Sequence, residues 1–118
     1  MKPEDKDLLL KDLCARLPYG VIVHCKGEYQ KYHEVEEIDV RDEVVRYFEG
    51  MHLHTENIIN CFPYLRPMSS MTNKEYDHTK NMSPLDYIDW LNTHHFDYRG
   101  LITAGLALST EEFNPYKD

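Results

Sequence analysis

Histidine stands out by number, with seven in 118 residues. His52 and His54 are two apart, and on a β-strand that spacing points both imidazoles to one face. Two such rings make half of a zinc site, for which Glu56 or Cys61 would be a third ligand. No second pair stands at ligand spacing, so polar strand positions are the simpler reading of His52 and His54, and a weak His-based metal site or enzyme is kept only as an alternative function. His94 and His95 are adjacent and would diverge by about 100° on a helix. The end of a helix favours such cations without any ligand.

Nucleophilic catalysis needs a nucleophile and a base in contact. Cys25 follows His24, but neighbouring strand residues face opposite sides. There is no G-x-S-x-G, no G-x-G-x-x-G and no Walker sequence, so neither a serine nucleophile nor a phosphate cradle is visible. The expectation is no catalytic residue and no cofactor. The three cysteines, Cys14, Cys25 and Cys61, form no C-x-x-C, and their number is odd. They read as buried thiols in a reducing compartment.

Carboxylates and tyrosines suggest binding instead. Residues 27–56 hold nine acidic and three basic residues, which is −6 of the chain's net −8. Glu34, Glu36, Glu37 and Asp39 cluster there, in the same stretch as Tyr29, Tyr32 and Tyr47. Tyrosine brings contact area at low entropy cost, and carboxylates steer a basic partner toward it. These seven residues are the candidate binding surface for a protein partner. An alternative is a DNA-mimic inhibitor, in which carboxylates imitate phosphates toward a basic nucleic-acid-binding protein. Direct nucleic-acid binding is disfavoured by the net charge, and residues 72–118 carry four basic against eight acidic residues. A surface with nine tyrosines is also compatible with a homodimer. Trp90 reads as a core anchor.

The elements that would position these groups follow from periodicity and punctuation. Residues 3–17 read as a helix, opened by Pro3 and acidic residues and carrying a stripe of Leu10, Leu13, Cys14 and Leu17. Lys6, Lys11 and Arg16 point elsewhere, and Pro18 pushes Leu17 out of the helical region and stops the helix. Residues 18–67 read as a β meander: a strand over 19–26, then short strands over 29–33, 35–40, 43–48 and 51–54. Thr55 to Phe62 reads as a short helical turn, and Pro63 to Pro67 as extended chain. Residues 68–83 read as a polar linker. Ser83, Pro84 and Asp86 open a second helix over 84–95, with Leu85, Ile88, Leu91 and His95 as its stripe. A third helix is expected over 98–104, closed by Gly105, and a polar tail over 109–118.

No apolar run approaches the roughly 18 residues of a membrane span. Leu8–Leu10 is too short for a signal-peptide core, so a cytoplasmic protein is expected, with no membrane contact.

Three phrases carry a resemblance: Lys11-Asp-Leu-Cys-Ala-Arg-Leu-Pro-Tyr-Gly-Val21, Pro63-Tyr-Leu-Arg-Pro-Met-Ser-Ser-Met-Thr72 and Ile88-Asp-Trp-Leu-Asn-Thr-His-His-Phe-Asp-Tyr-Arg-Gly-Leu-Ile102. In these the chain resembles a group of small uncharacterised proteins of gut Bacteroidetes and their mobile elements. The resemblance implies a bacterial or phage cytoplasmic setting and lends no site residue. The expectation as a whole is one α+β domain over 1–118. A small antiparallel β-sheet or SH3-like barrel is flanked by an N-terminal helix and two C-terminal helices, and it acts as a non-enzymatic protein-binding module.

Overall fold

Helix α1 spans Pro3–Arg16 in the computed structural model, which describes residues 1–26 and 32–117. Pro3 suits the first turn, where no N–H is needed, and Glu4 and Asp5 lie at the positive end of the dipole. The buried face carries Leu9, Leu10 and Leu13 together with Asp12 and Arg16. Two expectations are corrected here: Cys14 is exposed, and Arg16 is fully buried. The packed face turns toward Asp12 and Arg16 because these two, four residues apart, form an ion pair that the fold encloses. Nor does Pro18 stop the chain at once. Leu17 keeps helical angles, φ −51° and ψ −44°, and a 3-10 turn runs over Leu17–Tyr19. Gly20 ends it at φ 73°, a left-handed conformation that glycine adopts without a Cβ penalty.

Seven strands lie among the described residues: β1 (Ile22–Cys25), β2 (Tyr32–Glu34), β3 (Glu37–Asp39), β4 (Val44–Glu49), β5 (His52–Asn57), β6 (Cys61–Leu65) and β7 (Leu108–Ser109). They form a four-stranded sheet ordered β2-β1-β6-β7 and a three-stranded sheet ordered β3-β4-β5. Pairing is antiparallel except between β6 and β7, where Tyr64 lies opposite Leu108 in parallel register. The two sheets are separate among the described residues, and no barrel closes. Pro63 sits inside β6 at no cost to the ladder with β1. The Lys26 N–H donates to the Asn60 C=O, which makes Cys25/Cys61 and Val23/Pro63 the pairs that exchange no bonds. Gly50, at φ 64°, turns the chain between β4 and β5.

The core gathers Leu9, Leu10 and Leu13 from α1 with Val21, Val23, Val45, Tyr47, Ile58, Leu65 and Leu101. Strand parity decides which side chains enter it. In β1, Val23 and Cys25 point in while Ile22 and His24 point out, as the alternation predicts. In β4, Val45 and Tyr47 point in.

Further expectations change along the rest of the chain. The segment 55–62 is mostly strand: β5 reaches Asn57, a 3-10 turn covers only Ile58–Asn60, and β6 begins at Cys61. The expected linker over 68–83 holds a 3-10 turn at Met68–Ser70 and a helix, α2 (Asn73–Thr79). A reciprocal capping box between Thr72 and Glu75 starts α2. Helix α3 (Pro84–Thr93) is capped by the Ser83 hydroxyl, which accepts from the Asp86 N–H at 3.2 Å. Its stripe is only half buried: Leu91 is inside, whereas Leu85 is 80% exposed.

No helix forms over 98–104. Gly100 takes φ 78°, and the Asp97 carboxylate accepts from the N–H groups of Leu101 and Ile102 at 2.8 and 2.9 Å, folding the segment into turns. Gly105 is left-handed as expected, but it closes a turn rather than a helix. The C-terminal segment is docked rather than a loose polar tail. β7 joins the sheet, and the Tyr116 hydroxyl accepts from the Ile22 N–H and donates to the Tyr64 C=O, both at 2.9 Å. No helix among the described residues is long and apolar enough to cross a membrane.

Candidate functional site

The outer face of the four-stranded sheet is built by alternation. Register places Ile22 opposite Glu34, and His24 opposite both Tyr32 and Phe62, so these side chains share the face turned away from the core. Tyr64 and its β7 partner Leu108 continue it. Phe113 folds back over this face from the C-terminal segment. Its ring lies 5.3 Å from that of Tyr32 and 5.8 Å from that of Tyr64, the latter edge to face. His24, Tyr64, Leu108 and Phe113 line a cleft of about 310 Å³. Phe113 is close to half exposed, and Tyr32, similarly exposed, borders the cleft through its contact with the Phe113 ring. Burial, and then the nearby Tyr32 phenol, push the Tyr64 hydroxyl above its ordinary range.

Tyr116 holds the wall in place. At the end of the β1–β6 ladder its hydroxyl bridges Ile22 and Tyr64, a tyrosine replacing strand-to-strand bonding. On its other side the ring stacks on His95 at 4.0 Å and 10°. Burial pushes the Tyr116 phenol strongly upward, so the bridge keeps its proton throughout the physiological range.

The expected acidic, tyrosine-bearing surface is thus divided. Tyr32 and Glu34 lie on the cleft side, where Glu34 reaches over Gly20. Glu36 is exposed between β2 and β3. Glu37 and Asp39 belong to the other sheet and are engaged by Arg46, at 2.6 and 3.7 Å. Tyr47 is only 1% exposed, with His33 stacked on its ring at 4.0 Å, so it is a core residue and no contact residue. Tyr29 lies outside the described residues.

His52 and His54 share a face of β5, as the spacing requires, and both are exposed. Their proposed third ligands turn elsewhere. The Glu56 carboxylate accepts from the Asn57 N–H and the Asn60 side chain, and Cys61 is buried opposite Cys25. Among the described residues no three of His, Cys, Asp and Glu converge as metal ligands. The Cys61 thiol is pushed far up by the Cys25 thiol and by burial, so it is no nucleophile. Trp90 is half-buried rather than enclosed, between His94 at 4.3 Å and Phe96 at 5.4 Å, beside an open depression with Lys74 and His78.

The residues missed at the sequence level are His24, Tyr64, Leu108, Phe113 and Tyr116. The available signal was Phe113 and Tyr116, two aromatics three apart in a segment otherwise polar. Comparison of the chain with protein-family models, with curated proteins and with solved structures finds no match.

Proposed function

We propose that this protein is a non-enzymatic binding module whose aromatic cleft takes a short, extended, basic and proline-bearing segment of a partner protein. The observation that carries the reading is the convergence of Tyr32, Tyr64 and Phe113 on one cleft with Glu34 on the same sheet face. Flat rings pack well on a pyrrolidine or on the aliphatic stem of Lys or Arg. Glu34, with Glu111 and Glu112 just before Phe113 in the chain, supplies carboxylates for the charged ends. At about 310 Å³ the cleft has room for one or two side chains, at the lower end of ligand pockets, and suits a peptide anchor. The mode resembles SH3-type recognition, an aromatic groove reading a pre-extended chain. The bacterial cytoplasmic setting implied by the resemblance is part of the proposal.

The test is fluorescence anisotropy with a labelled arginine- and proline-containing peptide and a second peptide with glutamate in place of arginine. The first is expected to bind in a salt-sensitive manner and the second not at all. Phe113→Ala and Glu34→Lys should each weaken binding by about tenfold, the scale of losing one good contact. Equal binding of both peptides, or full affinity in Phe113→Ala, would overturn the reading.

A further inference from the structure

Strand β5 is the outer strand of the three-stranded sheet, and no described strand pairs with its far side. Its sequence, His-Leu-His-Thr-Glu-Asn, is exposed at all but one position and contains no Pro, Lys or Gly. Sheet edges are usually blunted by such residues, by bulges or by cover; among the described residues β5 has no bulge against β4 and no strand over its far side.

The backbone parity of β5 follows from its neighbour. The Ile58 N–H donates to the Glu43 C=O at 2.9 Å, one step beyond the Val44–Asn57 pair. Alternation then makes Glu56, His54 and His52 the residues that bond β4. Leu53, Thr55 and Asn57 therefore aim their N–H and C=O groups away from the sheet. The outward N–H of Asn57 is taken by the Glu56 carboxylate at 3.1 Å. Among the described residues, Leu53 and Thr55 are left with a donor and an acceptor each, spaced for one more strand.

We propose that two copies of this chain associate through β5, antiparallel about a two-fold axis at His54, which joins two three-stranded sheets into one of six strands. This axis sets Leu53 opposite Thr55 of the second copy, and Thr55 opposite its Leu53, so that every outward donor meets an outward acceptor. It also sets His52 opposite Glu56 of the second copy, twice, an imidazole facing a carboxylate whose bonds from Asn57 and Asn60 both fall on Oε1 and leave Oε2. An axis at Leu53 would lose both pairs. One at Thr55 would set Leu53 against Asn57, whose N–H is already engaged. On the opposite face Phe48 lies directly across from Leu53 in the hairpin, and both are about half exposed. The second copy would cover that apolar pair. At physiological salt, screening over about 8 Å limits the repulsion between two chains of net charge −8.

The experiment is sedimentation velocity on the whole chain over a concentration series, near pH 6, with His52→Glu and His52→Lys in parallel. The site is exposed, and circular dichroism checks that both variants are folded. The native chain and His52→Lys should dimerise, while His52→Glu, which puts like charges face to face twice, should weaken the dimer by about tenfold. Hydrogen exchange of the Leu53 and Thr55 amides should slow as the dimer forms. A native chain that stays monomeric, equal behaviour of the two variants, or fast exchange at Leu53 and Thr55 in an associated form would overturn the proposal.

Discussion

Asp12 is fully buried and accepts from two arginines, Arg16 in its own helix at 2.8 Å and Arg99 from the far end of the chain at 2.8 Å. Arg16 also donates to the Phe96 C=O at 2.6 Å. Removing one partner of such a cluster strands a buried charge. Asp12→Ala should cost about 3–5 kcal/mol, read as a lower midpoint in urea. A loss no larger than that of a surface substitution would contradict the geometry. Beside this cluster, burial first and then the Arg16 charge hold the His95 imidazole down to about 4. The unfolded chain, with histidine near 6.5, takes the proton first as pH falls. The stability that neutral His95 contributes is therefore complete above about pH 6.5 and is lost as pH falls toward 4. Urea midpoints should decline through that window, and His95→Gln should flatten the decline. A separate loss belongs to Glu75, which hydrogen bonds from Arg66 hold down to about 2, so its contribution fades only between about 4.5 and 2. None of this was legible in sequence. Arg16 read as pointing away from the packed face because the residues that enclose it and Asp12, Phe96 and Arg99, lie 80 or more positions away.

At the scale of elements, what sequence revealed depended on how distinct each local signal was. Ser83, Pro84 and Asp86 announced α3, and Gly50 between two strand-like runs announced the β4–β5 hairpin. Helix α2 went unseen because it lacks an apolar stripe, although Thr72-Asn-Lys-Glu75 is a capping box in plain view. Tyr47 was misplaced for a related reason. Val44 and Val45 are both apolar and Tyr47 and Phe48 both aromatic, so composition does not fix which parity faces in. Packing chose Val45 and Tyr47. The C-terminal segment shows how few contacts can dock an element that reads as a polar tail. Tyr116→Phe would leave the Ile22 N–H without its acceptor and the Tyr64 C=O without its donor, at about 1–3 kcal/mol. The expected outcome is faster amide exchange at Ile22 and through residues 108–116. Unchanged protection there would mean that the hydroxyl bridge does not hold the segment.

The whole molecule is an α+β fold in which one helix and two sheets share a core, and the two last helices lie outside most of it. That arrangement leaves two separate surfaces, the aromatic cleft on the four-stranded sheet, proposed here for a peptide, and the open edge of the three-stranded one, proposed for a second copy. The α+β class and much of the strand order in sequence were readable from alternation. The division into two sheets was not, because it depends on β6 pairing with β1 across more than thirty residues. The cleft was half visible, through Tyr32 and Glu34. Its other half, Phe113, comes from a segment whose docking only the tertiary fold reveals. The most direct measurement is amide chemical-shift mapping of the native protein titrated with the arginine- and proline-containing peptide. The account predicts shifts concentrated at His24, Tyr32, Tyr64, Leu108 and Phe113, with β4 and β5 unmoved. Shifts centred elsewhere, or none at saturating peptide, would contradict it.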